Sequence, residues 1–173
     1  MTASGSNGQG VFPSVIADAV KVAVENTFSA ICGEKPTHQA NGQQVCDGSG
    51  VAGIISFLGD MPWSLALVLT QETAPALAHK FTGMEITFDT PDMGDVAAEL
   101  VNVLAGEVVA QLECRQIKAQ ISLPIVARGT PLELMPERHM AIDRMHFASK
   151  QGKFWLRLAS ALPGEALARL PGT

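Results

Sequence analysis

Residues 91–112 repeat with a helical period, and the two faces of that helix differ in kind. At about 100° per residue, Met93, Ala97, Leu100, Val101, Leu104, Val108 and Leu112 fall in an apolar stripe roughly 120° wide. A stripe that broad and long needs a flat apolar partner, and a sheet is the simplest one. The start is marked by Thr90 as N-cap, Pro91 at the first helical position, and Asp92 and Asp95 at the positive end of the dipole. Opposite the apolar stripe lie Asp95, Glu99, Asn102 and Gly106.

The remaining segments supply that sheet. Residues 51–58 and 63–70 are apolar runs around Gly59-Asp60-Met61-Pro62, and they read as a buried antiparallel hairpin. Residues 140–148 and 154–160, joined around Lys150-Gln151-Gly152, read as a second hairpin, and residues 117–126 as one strand ending near Pro124. A first helix is expected from Pro13 to about Ile31, with Val15, Ile16, Ala19, Val22, Ala23 and Phe28 at helical spacing, Ser14 and Asp18 on its polar face, and Gly33 as its stop. Residues 34–49 read as a polar loop, part of which can pair as an edge strand. Thr73 is the expected cap of a short helix through Phe81, closed by Gly83, with Pro75 in its first turn. The tail after Pro163 is expected to hold a short helical turn. Helix plus hairpin thus occurs twice, without a residue-level repeat. The fold class expected is α+β, a mostly antiparallel sheet packed with long helices.

Composition narrows the function classes. Hydrophobic residues at 47% against 17% charged place the chain among globular proteins. Its 173 residues are read as a Gly/Ser-rich arm over 1–10, one domain over 11–165 and a C-terminal tail over 166–173. The net charge of −5, with no Lys/Arg cluster, argues against nucleic acid as partner. No apolar run reaches the ~18 residues that span a membrane, and the first ten lack the basic and apolar regions of a secretory signal. Cys32, Cys46 and Cys114 then read as reduced, semi-buried thiols, and the setting as cytoplasm.

The polar stripe is unusual for a solvated helix face. It carries no Lys or Arg, although Glu–Lys pairs at i,i+4 are common surface chemistry. It also carries Gly106, whose glycine costs about 1 kcal/mol against alanine in a helix interior. A glycine beside a carboxylate–amide pair lets another backbone come close, so the face reads as a docking surface. Asp95-x3-Glu99-x2-Asn102, followed by Ser122-Leu123-Pro124, resembles the motif of the CheC/CheX/FliY phosphatases of bacterial chemotaxis. The surrounding words, residues 98–106 and Ile121-Ser122-Leu123-Pro124, look most like the CheX branch; the residue resemblance covers positions 84–130. Pro124 comes one residue earlier than in the usual family spacing.

The resemblance implies a CheC/CheX-like fold with an internal pseudo-repeat. It also implies hydrolysis of the aspartyl phosphate on a CheY-like response regulator. On that analogy Asn102 orients the attacking water and Glu99 pairs with the regulator's active-site lysine. Asp95, Ala98, Gly106 and Pro124 support the pair or touch the partner. The chain needs no cofactor or metal of its own, because the Mg²⁺ sits on the regulator. CheC-type relatives carry a second Glu-x-x-Asn in the first helix. Here Glu25 and Asn26 are adjacent and Phe28 follows, so one site per chain is expected. A homodimer is also implied.

Other constellations carry less. His38, His79, His139 and His146 have no close ligand spacing with each other or with Cys32 and Cys46. Asp143 and His146 stand at odd spacing on one strand, which points them to opposite faces. Gly48-Ser49-Gly50 is no nucleophile elbow, because Asp47 occupies the place of a required glycine. The methionines read as core filler. Two rivals to the phosphatase reading stay open: a catalytically inactive interaction module of the same fold, as in flagellar switch domains, and an unrelated binder of small molecules with a pocket of its own.

Overall fold

The computed structural model describes residues 11–40, 48–135 and 140–161. The expectations for the arm 1–10, Cys46, Asp47, His139, the turn after Pro163 and the tail 166–173 lie outside the described residues. Within them the order is α1 (Ser14–Cys32), β1 (Thr37–Gln39), β2 (Gly50–Gly59), β3 (Trp63–Thr70), α2 (Thr73–Thr82), α3 (Pro91–Glu113), β4 (Ala119–Ile121), β5 (Ile125–Gly129), β6 (Met140–Ser149) and β7 (Gly152–Ala161). All strand pairings are antiparallel, and the sheet order is β1-β6-β7-β3-β2-β4, with β5 also on β2. The fold is α+β, as expected.

That order contains the pseudo-repeat. Exchanging β1 with β4/β5, β2 with β6 and β3 with β7 returns the same sheet read backwards. Each half is therefore a helix followed by an edge segment and a hairpin. The two hairpins meet at the β3–β7 seam, and each edge segment crosses over to the other half's hairpin.

Both long helices lie on one face of the sheet. The main core joins Ile16, Val20, Val24 and Phe28 of α1 and Leu100, Val101, Leu104 and Val108 of α3 to Leu65, Leu67, Leu69, Leu156 and Leu158 of the sheet. Every residue of the predicted α3 stripe is buried, none above 1% exposed. Aromatic stacking of Phe28 on Phe154 and of Phe57 on Trp63 ties helix to sheet and strand to strand. Gly53 makes the close helix approach possible: a Cβ there would meet the Ala97 carbonyl oxygen at 2.6 Å and Val101 Cγ1 at 2.7 Å.

Five local expectations need correction. The single strand over 117–126 is two, β4 and β5. Ile121 opposes Phe57 while Ile125 opposes Ile54, so three residues (122, 123, 124) face two (55, 56). The extra residue is a β-bulge. Pro124 has no N–H for the ladder, and Ser122 closes the gap by donating its N–H to the Ser56 carbonyl at 2.9 Å and accepting the Ser56 N–H on Oγ at 3.1 Å. Thr73 does not cap α2. Thr70 Oγ1 accepts the Thr73 N–H, and the Thr73 hydroxyl donates to the Lys153 carbonyl at 2.8 Å, which fastens α2 to β7. Thr90 sits at the N-cap of α3, but its hydroxyl donates back to the Thr87 carbonyl at 2.8 Å. On α1, Val15 and Val22 are exposed while Ala17, Val20 and Val24 take the core side. Finally, Cys114 is exposed just past α3, whereas Cys32 is semi-buried as expected, its thiol pushed up chiefly by burial.

Candidate functional site

The outward face of α3 is a stripe of few side chains on a rigid rod. Asp95, Glu99 and Gly106 are exposed, and Asn102 and Ala98 are part-exposed. No side chain of Asp95, Glu99 or Asn102 has a hydrogen bond or ion pair to another described residue, and those of Glu99 and Asn102 do not bond each other. A carboxylate and an amide less than one turn apart thus keep their hydrogen-bonding capacity free. Around Gly106 a Cβ would meet nothing within 4 Å, so the stripe has open space at its upper end.

The edge of the sheet flanks this stripe. Val126 on β5 lies against Gly94, where a Cβ would sit 3.8 Å from Val126 Cγ1. Turning α3 outward from Gly94 brings first Ala98 and then Asn102 into view. Arg128, also on β5, donates to the Phe88 and Thr90 carbonyls, each at 3.0 Å, and ties the α3 entry to the same edge. Pro124 belongs to the bulge on that edge.

The corresponding stripe on α1 is occupied. Asn26 Nδ2 donates to Glu107 Oε1 at 2.8 Å, and Glu25 pairs with Lys35 at 2.9 Å. Both groups are committed within the chain, unlike those on α3.

Other candidates sit apart. His38 stands edge-on to Phe147, His146 lies over Trp155, and His79 pairs with Glu85 at 3.0 Å. Burial, then Arg144 and His38, pushes the His146 imidazole below its usual value. No group of three or more His, Cys, Asp or Glu side chains among the described residues is placed to hold a metal. Met93 and Met145 fill the core, whereas Met84 and Met135 are exposed. At the far end of α3 a cleft between Asp60, Glu113 and Lys118 opens to solvent, and Asp60 is already held by the Lys118 N–H at 2.9 Å.

The family model described as chemotaxis phosphatase CheX matches residues 51–143, a span that includes β2, β3, α3 and the bulge. The chain belongs to the CheX family. Solved structures share its fold at low identity. A CheC-like superfamily protein from Shewanella sp. PV-4 superposes with a TM-score of 0.74 at 16% identity, over 86% of this chain and 98% of that one. Chemotaxis protein CheX from Desulfovibrio desulfuricans gives 0.71 at 20% identity, over 83% and 97%. The CheX of a CheX–CheY–BeF₃–Mg²⁺ complex from Borrelia burgdorferi gives 0.61 at 19% identity, over 85% and 95%. No curated protein matches the chain. No described helix is long and apolar enough to cross a membrane.

Leu123 belongs to the motif read from the sequence, but its exposure was not legible there. It is 87% exposed on the bulge, and the apolar run around it hid the change of strand.

Proposed function

We propose that this chain is a response-regulator phosphatase that hydrolyses an aspartyl phosphate by completing the active site of its partner. The observation that carries the reading is the free Glu99–Asn102 pair on the outward face of α3 (exposed and part-exposed respectively), with neither side chain bonded to a described residue.

An acyl phosphate is already activated, so its hydrolysis needs a positioned water and stabilised charge more than covalent help. The Asn102 amide is neutral and offers both an acceptor and donors. It can hold a water in line with the phosphorus without repelling the phosphoryl oxygens. Glu99, three residues earlier, pairs with the active-site lysine of the regulator and fixes the register of the two proteins. Asp95, Ala98, Gly106 and Pro124 frame the approach. The Mg²⁺ belongs to the partner, and the Borrelia complex, with its CheY, Mg²⁺ and a trifluoroberyllate that mimics a phosphoryl group, supports that division of labour. The homodimer is part of the same proposal, at the open edge of β1, which lies at the opposite end of the sheet from the site.

The test is phosphate release from a panel of CheY-like regulators loaded with acetyl phosphate, with and without the chain. Acceleration of at least one regulator from the same cell is expected. Binding of an activated regulator with no acceleration overturns the enzyme in favour of the inactive interaction module.

A further inference from the structure

Resting on that reading, we infer that Leu123 is the apolar anchor by which the phosphorylated regulator docks beside Glu99 and Asn102. The bulge at residues 122–124 leaves one residue without a place in the ladder. Ser122 closes the ladder on Ser56, Pro124 brings no N–H, and Leu123 projects with 87% of its surface exposed. Its neighbour Val126, on the α3 side of the sheet, is 37% exposed. Scattered exposed leucines are ordinary; an apolar group held by a two-way serine stitch beside a free polar pair is a prepared contact.

The position along the helix decides which site it serves. α3 runs parallel to β2, since Thr90, Pro91 and Gly94 line the cleft at Val51 while Glu113 lies near Gly59. β5 is antiparallel to β2, so stepping back from Val126 climbs α3 from Gly94. Three residues of strand cover about 10 Å, which is roughly seven residues of helix. That brings Leu123 level with Asn102. A partner whose aspartyl phosphate meets Asn102 therefore meets Leu123 as well, and an apolar patch next to its phosphorylation site is the chemistry that fits.

The test uses the full chain and a CheY-like regulator carrying Mg²⁺ and trifluoroberyllate. Leu123→Ala and Leu123→Asp should each weaken binding by about tenfold or more, with melting temperatures unchanged because Leu123 takes no part in the ladder. In turnover with acetyl phosphate, Leu123→Ala should raise KM and leave kcat nearly unmoved, whereas Asn102→Ala lowers kcat and keeps binding. Wild-type binding of the activated regulator that persists unchanged in both Leu123 variants overturns the anchor alone. Failure of the wild type to bind any activated regulator overturns the phosphatase reading and the anchor with it.

Discussion

Gly53 and Gly106 lie on opposite sides of α3, and their surroundings predict opposite outcomes. A Cβ on Gly53 meets the Ala97 carbonyl oxygen at 2.6 Å and Val101 at 2.7 Å, backbone and packed side chain that cannot yield separately. Gly53→Ala should lift α3 off β2 and cost about 1–3 kcal/mol, read as a lower urea midpoint. A Cβ on Gly106 meets nothing within 4 Å, so Gly106→Ala should gain up to about 1 kcal/mol from helix propensity alone. Equal effects from the two would contradict the placement of α3. His146 adds a pH dependence. Burial, Arg144 and His38 lower its proton affinity in the fold, so its contribution is intact above the ordinary value of 6.5 and is lost as pH falls below it. Urea midpoints of His146→Gln should fall less than those of the wild type between about pH 7 and pH 5. At this scale the stripe residues were readable, because a period of 3.6 assigns every α3 side chain to a face. The hydroxyls of Thr73 and Thr90 were not. A threonine near a helix start can cap it or bond a nearby carbonyl, and tertiary contacts such as Lys153 make the choice.

The helices and hairpins themselves followed from periodicity and turn residues, and α3 ends within a residue of its expected limit. The bulge did not follow, because residues 117–126 form one apolar run and only the register against β2 shows the extra residue. Pro124 was the readable signal, since it brings no N–H to a ladder. The same logic marks α2: its attachment to the sheet depends on the hydroxyl of Thr73, a residue only 2% exposed. Thr73→Val leaves the Lys153 carbonyl and the Thr70 hydroxyl short of a partner and should cost about 1–3 kcal/mol. Amide exchange should show α2 opening faster while α3 keeps its protection; uniform loss across both helices would contradict this.

The sheet order is a property of the whole molecule and was legible only as an element count. Nothing local says that β1 crosses to β6 or that β4 and β5 cross to β2, because those pairings join residues far apart in sequence. The two long helices differ in what their polar groups meet: the Asn26 side chain of α1 is bound to Glu107 of α3, while that of Asn102 bonds no described residue. Asn26→Ala should therefore leave the turnover of a phosphorylated regulator unchanged, and a lowered turnover would contradict a single site per chain. Acceleration should also vanish when Mg²⁺ is chelated, with the metal binding to the regulator rather than to this chain in calorimetry. The most direct measurement is the decay of aspartyl phosphate on a regulator saturated with wild-type chain or with Asn102→Ala. The proposed water-positioning role of the amide predicts a loss of at least about a hundredfold in the variant, with the complex still formed; an undiminished rate in Asn102→Ala would contradict the account.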